Sequence, residues 1–112
     1  MNKVVRLLAI YTISVVLATV SSAWAHTTYT QVDYPGAALT QIAGGPNLEG
    51  TSVGAYSLTV GDALHGFALD AHGVFTPIDV PGATNTIPNF INLQGVIVGS
   101  YTDSAGTSHG LF

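Results

Sequence analysis

The sequence predicts an all-β fold of short antiparallel strands, arranged as two four-stranded β-propeller-like blades, with a small β-sandwich as the alternative. Three observations lead there. Every one of the 13 Gly and 5 Pro falls after residue 25, which suits many tight turns. The β-prone runs between those turns are short, and no window carries a long apolar stripe at helical spacing. The third observation is an internal repeat. Asp33-Tyr34-Pro35-Gly36-Ala37 returns as Asp79-Val80-Pro81-Gly82-Ala83, and Asn47-Leu48-Glu49-Gly50 as Asn92-Leu93-Gln94-Gly95. Val53-Gly54-Ala55-Tyr56 returns as Val98-Gly99-Ser100-Tyr101, and His65-Gly66-Phe67 as His109-Gly110-Leu111. With Thr40 and Thr86, 13 positions are identical in order, at offsets drifting from 46 to 44. The copies span about residues 32–67 and 78–112.

The segments follow in chain order. Lys3 and Arg6, the only Lys and Arg of the chain, precede an apolar run from Leu7 to Val20 and a small-x-small site at Ala23-Trp24-Ala25. This is the pattern of a secretory signal peptide over residues 1–25, cleaved after Ala25. The apolar run of 14 residues is short of the ~20 that span a bilayer; a retained anchor is the alternative. The β-repeat domain is residues 26–112. Its eight expected strands are 29–33, 39–43, 51–58, 63–69, 74–80, 86–92, 96–102 and 107–112. In Asp-x-Pro-Gly-Ala, Pro presets φ and Gly supplies φ > 0, a type II turn whose amides the Asp can cap. Asn47-Leu48-Glu49-Gly50, Asp70-Ala71-His72-Gly73, Asn92-Leu93-Gln94-Gly95 and Asp103-Ser104-Ala105-Gly106 fit type I hairpins with a Gly bulge. The strand at 29–33 has the phase to pair beside the last strand and complete the second blade from both ends. Two blades do not close a ring. Self-assembly (three chains giving six blades), a compact sandwich, or a shortened array each resolve that.

Composition excludes several functions. Residues 26–112 hold six acids and no Lys or Arg, a formal charge of −6. Nothing there neutralises phosphates, so nucleic acid and, after signal cleavage, anionic membranes are not expected partners. A P-loop lysine, a Schiff-base lysine and an arginine clamp are equally excluded. The chain has no Cys, hence no disulfide and no thiolate metal site. Export places the product in the periplasm or outside the cell.

The ordered elements resemble bacterial extracellular HAF-repeat proteins. The matching residues are His65-Gly66-Phe67, Asp79-Val80-Pro81-Gly82-Ala83, Asn92-Leu93-Gln94-Gly95, Val98-Gly99-Ser100-Tyr101 and His109-Gly110. The resemblance implies export and β-repeat architecture, with no established activity. Longer members carry many more units.

Candidate chemistry is sparse. His65 and His109 are repeat-equivalent, which suits an architectural role; a ring of His lining a channel is the functional alternative. His26, as a mature N-terminus, has the groups of a copper brace. Ser108 and His109 are adjacent in a strand and so point to opposite faces, and no Gly-x-Ser-x-Gly elbow exists. Loop Asp residues could gather Ca²⁺ through oxygen; no other cofactor is expected. Tyr56 and Tyr101 are repeat-equivalent and could stack on sugars, although such aromatics more often serve packing. The binding candidates are therefore Tyr56, Tyr101, His65 and His109, with no catalytic or metal site assigned. The reading is a non-catalytic interaction or structural module. A carbohydrate-binding module comes second and a secreted hydrolase third. Self-association, or an extracellular protein or glycan, is the expected partner, since 87 residues without disulfides bury a limited core.

Overall fold

The computed structural model describes residues 27–112. The expected signal segment, its expected cleavage site and His26 lie outside the described residues. One compact unit runs from Gln31 to Phe112. It is all-β. Its seven strands are β1 (Leu39–Gly44), β2 (Ser52–Ser57), β3 (His65–Leu69), β4 (Phe75–Ile78), β5 (Asn85–Ile91), β6 (Ile97–Thr102) and β7 (Ser108–Leu111). They form two antiparallel meanders, β1-β2-β3-β4 and β5-β6-β7. Among the described residues no helix is long and apolar enough to cross a membrane.

The turns behave as their residues dictate. Ala37 N donates to Tyr34 O across Pro35-Gly36 at 3.0 Å, and Ala83 N to Val80 O at 3.0 Å. Gly36 and Gly82 take φ of 78° and 80°, which a Cβ would resist. Each turn is anchored by the Thr that recurs with it. Tyr34 N donates to Thr40 Oγ1, and Val80 N to Thr86 Oγ1. The four hairpin turns share another device. Asn47, Asp70, Asn92 and Asp103 each accept, through Oδ1, the amide four residues on. Each turn then closes on a Gly at positive φ.

The repeat is exact enough to reproduce an irregularity. Pairing of β1 with β2 slips between Ile42 and Gly44, and pairing of β5 with β6 slips between Pro88 and Phe90. These bulges fall at the equivalent residues Ala43 and Asn89. The cross-strand pairs also correspond: Tyr56 faces His65 and Tyr101 faces His109.

The sheets pack through β5, in the manner of a small two-sheet sandwich. Thr86, Pro88 and Ile91, which share one face of β5, are buried. They lie on the face of the first sheet that carries Val53, Ala55 and Gly66. Gly66 is needed there: a Cβ would stand 2.8 Å from Pro88 Cδ and Cγ. Polar bonds fix the junction. Thr86 N donates to Leu64 O at 2.8 Å, Leu64 N to Asn85 Oδ1 at 2.7 Å, and Asn47 Nδ2 to Asn92 O at 3.0 Å. Among the described residues no buried side-chain polar atom lacks a partner.

Two expectations are corrected. The second sheet has three strands, not four, and the strand expected at 29–33 does not form. A strand persists only where a neighbour supplies its ladder. Tyr34, directly after this segment, is stacked on Tyr56 of the first sheet, whereas the open edge it was expected to cover is β7, in the other sheet. The first sheet, by contrast, does hold four strands. No ring closure is seen. The second correction concerns Asp33 and Asp79, which do not cap the Pro-Gly turns. Asp33 Oδ2 accepts from Gln31 Nε2, and Asp79 ties β4 to β3 by accepting from Gly66 N.

Candidate functional site

The four candidate residues fall into two pairs, one on each sheet. On the first sheet, β2 places Tyr56 opposite His65 of β3, with ring centroids 5.3 Å apart. Tyr34 lies flat on Tyr56 at 3.6 Å, with planes 3° apart. Phe75 meets Tyr34 edge-on at 5.1 Å and Phe67 at 5.2 Å. Such contacts contribute about 0.5–1.5 kcal/mol each beyond the area they bury. On the second sheet the pair is smaller. Tyr101 and His109 stack at 4.9 Å and remain partly exposed.

Each imidazole is held by a carboxylate. His65 Nδ1 lies 3.1 Å from Asp79 Oδ2, and His109 Nε2 lies 2.9 Å from Asp103 Oδ2. The two His therefore bond through different ring nitrogens to Asp residues that are not repeat-equivalent. Both pairs are solvent-exposed, where such contacts are worth at most about 1 kcal/mol.

The electrostatics follow from these contacts. Burial pushes the Tyr56 phenol up to about 12, and the neighbouring Tyr34 adds to the rise. Tyr56 thus stays protonated over the physiological range. Being only 8% exposed under Tyr34, it offers no open ring to a sugar. The His109 side chain, and then the Thr107 and Ala105 amides, hold the Asp103 carboxyl below its ordinary 3.8. The Val74 and His72 amides do the same for Asp70. A depressed carboxyl stabilises the fold above its unfolded pKa and loses that contribution as pH falls through the folded value. The β6–β7 turn is therefore expected to loosen as pH drops below 3.8. Amide exchange at Thr107 and Ala105 measures this, and Asp103→Asn removes the pH dependence.

The site can pack and bond. Each His has an Asp as hydrogen-bond partner and a Tyr ring as neighbour. Ser108, beside His109 in β7, lies instead near Thr102 Oγ1 at 3.5 Å. The Oδ1 atoms of Asp70 and Asp103 are taken by turn amides. Among the described residues no group of three His, Cys, Asp or Glu could hold a metal ion. A cleft of about 290 Å³ between Leu39, Ser57, Val60, Leu64 and Asn85 is mostly apolar, with Asp62 its one charged group.

Sequence reasoning missed Tyr34 and the Asp partners. The signal for Tyr34 was an aromatic at the variable place of Asp-x-Pro-Gly-Ala, where the other copy has Val80. Asp79 carried no separate signal, because its turn motif already accounted for it. Comparison with protein-family models, curated proteins and solved structures finds no match to this chain.

Proposed function

We propose that this is an exported β-repeat module that works by binding other macromolecules and not by catalysis. The signal-like segment at 1–25 supports export to the periplasm or beyond. The order of the repeated motifs supports kinship with extracellular HAF-repeat proteins. One observation carries the binding role. Val53 is 0% exposed beneath β5, whereas its repeat-equivalent Val98 is 41% exposed. Phe90, opposite Val98 in the ladder, is exposed beside it. The second sheet thus presents an apolar face of the kind that β5 covers on the first, and such patches mark interaction sites. The −6 charge of residues 26–112 argues against nucleic acid and anionic lipid as the partner.

A photo-reactive phenylalanine analogue at position 98 of the exported full chain tests this. The expected result is covalent protein adducts from position 98 and none from Ala105, on the exposed β6–β7 turn. Absence of adducts from position 98 overturns the proposal. The half-open Tyr101–His109 pair favours carbohydrate binding as the second reading. Quenching of tyrosine fluorescence by polysaccharide, lost in Tyr101→Ala, would install that reading instead.

A further inference from the structure

Residues 75–91 do two things at once. As β4 they complete the first sheet, and as β5 they lie across that sheet's face and start the next. Residues 29–44 are their repeat-equivalents. Tyr29-Thr30-Gln31-Val32-Asp33 stands at the offset of Phe75-Thr76-Pro77-Ile78-Asp79, and β1 at that of β5. Yet Gln31 and Val32 pair with no strand of the unit Gln31–Phe112. The surface they match is open too. The β7 edge has no neighbouring strand among the described residues, and a Cβ on Gly110 would meet nothing within 4 Å.

We infer that residues 29–44 of one copy dock on the β5-β6-β7 sheet of a second copy, as residues 75–91 dock on β1-β2-β3-β4 within one chain. This rests on the interaction-module reading and names its partner. The internal junction gives the register. Gly66 pairs with Ile78 and Phe67 with Pro77, so Gly110 takes Val32 and Leu111 takes Gln31. Asp33 then reaches His109 as Asp79 reaches His65. Ile42, 42% exposed and equivalent to the buried Pro88, comes over Gly110 as Pro88 comes over Gly66.

One corner differs between the copies, and it differs in a complementary way. Inside the chain, Asn89 and Phe90 approach Gly44, where a Cβ would lie 2.9 Å from Phe90 Cα. Between copies the small pair Ala43-Gly44 would approach Phe90. Large against small becomes small against large, so the contact closes in both cases. The chain's own Gln31 and Val32 are not the occupant. Tyr34 is bound among Tyr56, Phe67 and Phe75 of the first sheet, and β5 is the strand of the second sheet that packs on that sheet. The docking surfaces are two different patches, so the contact is heterologous and propagates head to tail.

The test uses light scattering on the exported chain. Wild type is expected to gain mass with concentration, by whole copies. Ile42→Asp disables the docking segment, and Gly110→Val disables the receiving sheet. Each alone is expected to be monomeric, with an unchanged circular-dichroism spectrum and melting temperature. Their equimolar mixture is expected to stop at a dimer, because one intact surface of each kind remains. A monomeric wild type, or a mixture that stays monomeric, overturns the inference. In that event, adducts from position 98 to a different protein would still uphold the interaction-module reading. Should Gly110→Val unfold, Phe90→Asp, also on the receiving sheet and exposed in the single chain, replaces it as the second variant, and its failure to weaken association also counts against the docking.

Discussion

Phe67→Ala is expected to lower the unfolding free energy by about 3–5 kcal/mol. Phe67 is fully buried and is the largest such side chain among the described residues. It sits in β3 opposite Gly54, and a Cβ on Gly54 would come 2.8 Å from Phe67 Cζ. Tyr34, Tyr56 and Phe75 surround it. Truncation would remove the edge contact that holds Phe75 and leave a cavity that strands bound on both sides could not collapse to fill. Leu111 is the control. It stands at the equivalent place in β7, opposite Gly99, but is only half-buried. Leu111→Ala should therefore cost well under half as much. Urea denaturation of both variants decides the matter, and equal costs would show that the aromatic cluster is not the centre of the core. At that magnitude Phe67→Ala would consume much of the 5–15 kcal/mol typical of a whole domain.

The turns were readable because each has a local cause. Pro-Gly fixes two φ values, and Asn or Asp at the first hairpin position supplies an acceptor for amides two and four residues on. Neither effect depends on what lies across the sheet. Seven of the expected strands therefore form, with bounds shifted by at most two residues. The eighth was read from the same local signals and fails for a non-local reason. Its β-prone residues have no ladder, since Tyr34 binds to Tyr56 of the first sheet. The candidate site shows the same divide. The match of Tyr56 to Tyr101 and of His65 to His109 was legible as repetition. Their burial was not, because Tyr56 is covered by Tyr34, whose place in the other copy is taken by Val80. Tyr56 is covered and Tyr101 half-open from nearly identical local sequence.

Gly66 and Gly110 carry that divide to a single atom. Both follow the recurrent His, and both occupy the same register in their sheets, opposite Ala55 and Ser100. Sequence alone treats them alike. Gly66→Ala is nevertheless expected to destabilise by about 1–3 kcal/mol or more, the range for overpacked cores. Its Cβ would meet the Pro88 ring at 2.8 Å and, closer still, the Ile78 carbonyl oxygen. Neither neighbour can yield easily. Pro88 is a rigid ring pinned between the sheets, and Ile78 belongs to the β3–β4 ladder. The sheets must part, which strains the Thr86–Leu64 bond at the junction. Gly110→Ala meets nothing and should lie within about 0.5 kcal/mol of wild type when the chain is dilute. It could even gain slightly, since alanine restricts the unfolded chain. Urea midpoints for the two variants, measured at low and then high chain concentration, separate two kinds of contact. The Gly66 penalty should not change with concentration, because β5 is tethered to the first sheet. A Gly110 penalty that grows with concentration would be the mark of a second copy reaching the same position from outside.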